Sequence, residues 1–278
     1  MYRYSATQWI FGNESLETSL QRLKKYGYDG VELAAEPYTT DIEATRKLLD
    51  QYGLIVTSLC GIYTRERDLA SPNAEIRAKA VQYVKDSVDM AAALGATHVI
   101  VVPNAVGRTN TESTRAEEWV HAVNGIREAG QYAATKNINL AIEAINRFEA
   151  YLAINLTTAL QLVEEVNLPS VKLMADAFHM NIEERDEVAI LKKIAPYLIH
   201  VHIADNTREA AGMGNTDFEA ILRTLKEINY QGPLTMEFMP PVGDTYTIAE
   251  QGGSEELFDQ YTERSIQEMK RIVAKLNG

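Results

Sequence analysis

The segment "AAALGATHVIVVPN" (residues 91–104) contains the repeating unit of the chain: a helical end, one glycine, then a run of β-branched residues. Gly95 suits the left-handed conformation that terminates helices, because it has no Cβ to clash there. The run "HVIVV" is apolar at adjacent positions, as expected of a strand buried on both faces in a parallel sheet. Upstream, Val81, Val84, Val88 and Ala91 recur at helical spacing and give that helix an apolar stripe.

The same punctuation recurs on the N-terminal side. Gly27 of "YGYD" precedes "GVELAAE" (30–36), and Gly53 of "LLDQYG" precedes "LIVTSLCGI" (54–62). Read to both ends, the pattern predicts strands over 2–8, 30–36, 54–62, 98–104, 138–145, 171–177, 198–204 and 233–239. A last helix is predicted over 254–276. Eight units of about 35 residues predict an α/β fold, a (β/α)₈ TIM barrel forming one domain over 1–278. The rival doubly wound sheet needs a Gly-rich phosphate loop after an early strand, and the sequence has no G-x-G-x-x-G or Walker loop.

Composition narrows the function. The chain is 46% hydrophobic and 24% charged, an ordinary globular balance, and its formal charge of −12 opposes nucleic-acid binding. The one cysteine, Cys60, excludes an intramolecular disulfide framework and reads as a small buried core residue near the third strand's end. No apolar run reaches the ~18 residues of a membrane span, and the N-terminus lacks a signal-peptide pattern, so a cytoplasmic protein is expected.

Strands five to eight break the apolar rule near their C-terminal ends. "INLAIEAINR" contains Glu143, "VKLMADAFH" contains Asp176, "LIHVHIAD" contains His200 and His202, and "PLTMEFM" contains Glu237. Buried ionised groups must be paired or metal-bound. Glu143, Asp176, His202 and Glu237 are each separated by about one βα unit, which places them side by side at the barrel mouth, where such barrels carry their sites. Three carboxylates and one imidazole predict one divalent ion: Mn²⁺ first, with Co²⁺, Mg²⁺ and Zn²⁺ as other candidates. His200, two positions deeper on the same face, is expected to be an interior hydrogen-bonding partner. His98 and His121 are read as structural or surface residues, and Glu183 and Glu184 as acids favoured at a helix N-terminus.

The segments "AIEAINRFE" (141–149), "VKLMADAFHMNIEE" (171–184), "HVHIADNTR" (200–208) and "LTMEF" (234–238) resemble the sugar isomerase/epimerase superfamily of barrels, most closely its D-tagatose 3-epimerase and D-psicose 3-epimerase group. "RDLASPNAEIRAKAV" (67–81) is similar to that group's third loop and helix. The resemblance implies a small-molecule sugar substrate, one metal on Glu143, Asp176, His202 and Glu237, and the two glutamates as the acid/base pair. It further implies substrate contacts from Glu149, His179 and Arg208, and a homodimer or tetramer.

The implied reaction removes a proton beside a ketone and returns one to the opposite face through a cis-enediolate. "VVPNAVGRTNTES" (101–113) and "NTREAAGMGNTDF" (206–218) differ from that group, which leaves a ketohexose, ketopentose, keto-inositol or keto-glycoside open as substrate. Aldose–ketose or keto-inositol isomerisation on the same site is the alternative activity. Two readings of other classes are an endonuclease IV-like nuclease, which needs more histidine ligands, and a non-catalytic sugar-binding protein, which needs no base on either face.

Overall fold

The computed structural model describes residues 2–239 and 255–278. Eight parallel strands close into a barrel in sequence order: β1 (Tyr4–Thr7), β2 (Gly30–Ala35), β3 (Ile55–Gly61), β4 (His98–Val101), β5 (Asn139–Ile142), β6 (Val171–Asp176), β7 (Leu198–Ile203) and β8 (Leu234–Met236). Closure comes from β1 pairing with β8, with Ser5 opposite Thr235. The predicted barrel is therefore the observed one.

The outer ring comprises α1 (Leu16–Tyr26), α2 (Ile42–Tyr52), α3 (Ala74–Leu94), α4 (Arg115–Thr135), α5 (Leu156–Val166), α6 (Ala177–Glu183), α7 (Glu187–Ile194), α8 (Phe218–Glu227) and α9 (Glu255–Asn277). The predicted start of the last helix, position 254, lies outside the described residues. Gly27, Gly53 and Gly95 end α1, α2 and α3 with φ of 77°, 62° and 76°, as the glycine punctuation requires. Helix starts are capped by side chains: Ser15 accepts from Thr18 N–H, and Thr114 and Glu117 form a reciprocal capping box on α4.

Strand pairing is shorter than the apolar runs. β4, β5 and β8 stop three residues before the predicted ends, at Val101, Ile142 and Met236. Val102, Ile145 and Phe238 stay buried there as loop anchors, so the apolar run outlasts the ladder.

Inside the barrel polar and apolar side chains both contribute to the fill. At its base Ser5 Oγ lies 2.6 Å from Thr235 Oγ1, and Thr57 donates to Ser5 Oγ at 3.1 Å. Cys60, Ile100, Ala141 and Met174 form an apolar patch against which Trp9 and Ile199 pack. Ala141 and Met174 stand two positions before Glu143 and Asp176, so this patch lies directly beneath the carboxylates. Cys60 is buried, as expected of a core residue. Among the described residues no helix is long and apolar enough to cross a membrane.

Candidate metal centre

Asp176 ends β6 and His202 is the penultimate residue of β7, and the two are direct partners in the sheet register. Glu143 and Glu237 each stand one residue past the paired strand. Their backbone N–H groups still bond the neighbouring strand, to Val101 O and Ile203 O, both at 3.0 Å. That bond holds each glutamate at the rim although the strand has formally ended. All four side chains are buried.

One donor atom each from Glu143, Asp176 and His202 lies within 4.8 Å of the other two. Asp176 Oδ2 is 3.7 Å from His202 Nδ1, and Glu237 Oε2 is 3.3 Å from the same nitrogen. Donors held at about 2.1 Å by one ion stand about 3 to 4.2 Å from each other, so the two separations from His202 Nδ1 fit a shared cation; Glu237 joins through this contact and lies outside the three-residue grouping. Asp176 Oδ2 and His202 Nδ1 are both buried without a hydrogen-bond partner, which is costly unless something else satisfies them. The residues fit a divalent ion.

The hydrogen bonding of His202 fits as well. Its Nε2 lies 3.0 Å from Glu32 Oε1, and a carboxylate only accepts, so Nε2 carries a hydrogen and Nδ1 is the nitrogen left to bind a cation, which would displace any proton there. Glu32, on β2 and fully buried, also accepts from Ser58 Oγ at 2.6 Å and stands 3.1 Å from His200 Nε2. His200 Nδ1 in turn meets His98 Nε2 at 2.9 Å, and His98 Nδ1 meets Thr97 Oγ1 at 2.9 Å. His200 is thus an interior hydrogen-bonding residue, as expected, and His98, expected to be structural or at the surface, is buried beside it.

Glu32 escaped the sequence reading. It breaks the apolar run of "GVELAAE" as Glu143 breaks strand five, and that signal was sufficient to find it. Glu32, His200 and His202 form a second grouping with metal-ligand spacing among the described residues. The Ser58 and His202 hydrogen bonds already use its carboxylate oxygens.

Burial and the neighbouring Glu237 push the Glu143 carboxyl well above its ordinary range, and burial likewise raises Glu237. Burial opposes ionisation of Asp176 too, but His179, His202 and Arg208 outweigh it and hold its carboxyl below the usual range. Burial would lower His202, yet Glu237 and Glu32 win and raise it well above an ordinary histidine. Such a concentration of carboxylates around one point favours a bound cation.

The three predicted substrate contacts converge on the same mouth. His179 Nε2 is 3.9 Å from both Glu143 Oε1 and Asp176 Oδ2. Arg208 places Nη2 3.4 Å from Glu237 Oε2 and Nη1 3.5 Å from Glu149 Oε1, with its guanidinium 4.7 Å from the Phe178 ring centroid. A solvated loop arginine is thereby ruled out: Arg208 is buried, and its φ of 61° is a left-handed conformation a non-glycine residue adopts at a cost.

One expectation is overturned. Glu183 and Glu184 do not sit at the N-terminus of their own helix. Glu183 is the last residue of α6 and forks onto Arg147, with Nε–Oε1 2.8 Å and Nη2–Oε2 2.7 Å. Glu184 follows it and accepts from Leu156 N–H at 2.7 Å, serving the start of α5 instead. No residue pattern marks α6 as ending at Glu183.

Also unforeseen is the ion cluster of Arg108. Arg108 is 1% exposed, and its guanidinium meets Asp68 and Glu118, with Nε–Oδ2 and Nη1–Oε2 both 2.7 Å, while Tyr151 O–H donates to Glu118. These residues come from the loops after β3, β4 and β5 and from α4, so the cluster of charges from two loops and a helix becomes visible only when the barrel brings them together. In the same region Gly107 N–H bonds Glu149 O at 2.7 Å and supports the loop that carries Glu149.

Comparison with known proteins agrees with this geometry. Residues 20–273 match the model of the xylose isomerase-like TIM barrel family. An L-ribulose 3-epimerase of Methylomonas sp. (strain DH-1) is 32% identical over 213 residues, 76% of this chain and 74% of that protein. A ketose 3-epimerase of Arthrobacter globiformis is 28% identical over 228 residues, 82% of this chain and 78% of that protein. The crystal structure of a Methylomonas sp. D-allulose 3-epimerase in complex with D-allulose superposes with a TM-score of 0.88 at 26% identity, covering 97% of this chain and 96% of that one. The chain belongs to the xylose isomerase-like TIM barrel family.

Proposed function

We propose that this protein is a divalent-metal-dependent sugar epimerase that inverts a carbon beside a ketone, as ketose 3-epimerases do, with Glu143 and Glu237 as its acid/base pair. One observation carries the reading. Two buried glutamates, both held above their ordinary range, stand at the rim with two unsatisfied donor atoms, Asp176 Oδ2 and His202 Nδ1. A sugar-binding protein has no use for two such bases.

A cation held by Glu143, Asp176, His202 and Glu237, with Mn²⁺ the first candidate, supplies Lewis-acid stabilisation for negative charge developing on the sugar oxygens. Glu143 and Glu237 rise from β5 and β8, separated by two strands, and so approach a bound sugar from different sides. One carboxylate takes the carbon-bound proton and the other returns a proton to the opposite face, by way of a cis-enediolate. Burial raises the proton affinity of both in the metal-free site, and a bound cation would offset that rise. His179 and Arg208 donate hydrogen bonds to the oxygen that gains charge, while Glu149 orients a hydroxyl. The homodimer or tetramer expected from the resemblance belongs to the same proposal, and light scattering after size exclusion reads it.

The test is turnover in deuterium oxide with L-ribulose, D-allulose and a panel of ketoses and keto-inositols. The proposal expects one solvent deuterium at the carbon next to the carbonyl, with inversion there. Exchange at no carbon of any substrate contradicts it.

A further inference from the structure

Asn146, three residues beyond Glu143, is buried at 1% exposure and belongs to neither the ligand set nor the substrate contacts. Its amide makes three hydrogen bonds. Nδ2 lies 2.8 Å from Glu149 Oε1 and 2.8 Å from His179 Nδ1, while Oδ1 accepts from Phe148 N–H at 2.9 Å. A backbone N–H only donates and a carboxylate only accepts, so this amide has a single orientation. Both of its hydrogens are then committed, one to Glu149 and one to His179.

A nitrogen that receives a hydrogen bond from Asn146 carries no hydrogen of its own. His179 therefore holds its hydrogen on Nε2, the atom 3.9 Å from both Glu143 Oε1 and Asp176 Oδ2. We propose that Asn146 is a positioning residue of the epimerase reaction: it fixes His179 as the Nε2–H tautomer and aims Glu149. The inference rests on the function proposed above.

The two imidazoles at the mouth thus receive opposite roles from buried neighbours. Glu32 leaves Nδ1 of His202 for the cation, and Asn146 makes His179 present a hydrogen. With the other tautomer His179 would aim a lone pair at the centre, where it competes for the cation and cannot donate to a substrate oxygen.

The test begins with the wild-type protein loaded with diamagnetic Mg²⁺, using long-range ¹⁵N–¹H correlation of its imidazoles at pH 7. Neutral His179 with hydrogen on Nε2 is expected; hydrogen on Nδ1, or an imidazolium, overturns the proposal. Asn146→Asp removes both donated hydrogens at nearly constant shape. It is expected to move the His179 hydrogen to Nδ1 and lower kcat about 100-fold, with a smaller change in KM. A moved hydrogen with unchanged kcat also overturns the positioning role. If Asn146→Asp does not fold, the wild-type spectrum decides alone. If the wild-type exchanges no substrate proton, the epimerase reading fails while the imidazole spectrum still reports on Asn146.

Discussion

Glu32 and His202 meet inside the barrel from β2 and β7, Oε1 to Nε2 at 3.0 Å, far apart in sequence and both fully buried. The contact places a hydrogen on Nε2 of His202, the proposed metal ligand on β7, and leaves Nδ1 for the cation. Replacing Glu32 by Gln keeps the shape and removes the charge. The expected result is a 10- to 100-fold loss of Mn²⁺ affinity by calorimetric titration, the usual scale for partners of metal-bound histidines. Unchanged affinity would show that Glu32 is only filling space.

Glu143→Gln and Glu237→Gln are each expected to lower kcat by about 10²- to 10⁴-fold, the range for losing a general acid or base. Metal content of each variant, measured in parallel, separates lost proton transfer from lost metal. A variant that retains both its metal and wild-type turnover removes that glutamate from the acid/base pair.

Stability of the metal-free protein depends on pH in a stated direction. Glu143 and Glu237 are raised in the folded state, so over the window from the ordinary carboxylate range up to their folded values the folded chain holds more protons than the unfolded one. Stability falls as pH rises through that window. His202, also raised, contributes stability that is complete below an ordinary histidine's range and is lost as pH climbs through its folded value. Asp176 runs the other way, but only in acid, because its folded value lies below the usual range. The thermal shift produced by Mn²⁺ is therefore expected to be larger at pH 8 than at pH 5.5. A shift that shrinks with rising pH contradicts the assignment of these groups.

Arg108→Ala leaves Asp68 and Glu118 buried without their shared cation. Urea denaturation is expected to show a loss of about 3–5 kcal/mol, the scale for breaking a buried ion pair on one side. A loss below about 1 kcal/mol would mean that water reaches the cluster.

Much of the barrel was legible because its signals are local. Gly27, Gly53 and Gly95 end helices through their own backbone freedom, and Val99, Ile100 and Val101 declare a buried strand by themselves. The four rim residues were legible because equal spacing along a repeat becomes proximity around a barrel. Glu32 carries the same local mark, a carboxylate in an apolar run, but its partner His202 is not legible, because the two meet across the interior rather than along the rim. Asn146 lay in plain view within "AIEAINRFE", yet an asparagine in a loop carries no signal until its three partners are known. The Arg108 cluster and the short α6 depend on packing between loops, which periodicity does not encode.

The proposed centre is one ion shared by four strand ends. A crystal grown with Mn²⁺ and measured at the manganese absorption edge tests it most directly. One anomalous peak is expected, about 2.0–2.3 Å from single atoms of Glu143, Asp176, His202 and Glu237. A peak between Glu32, His200 and His202 instead, or several ions at the mouth, would contradict the account.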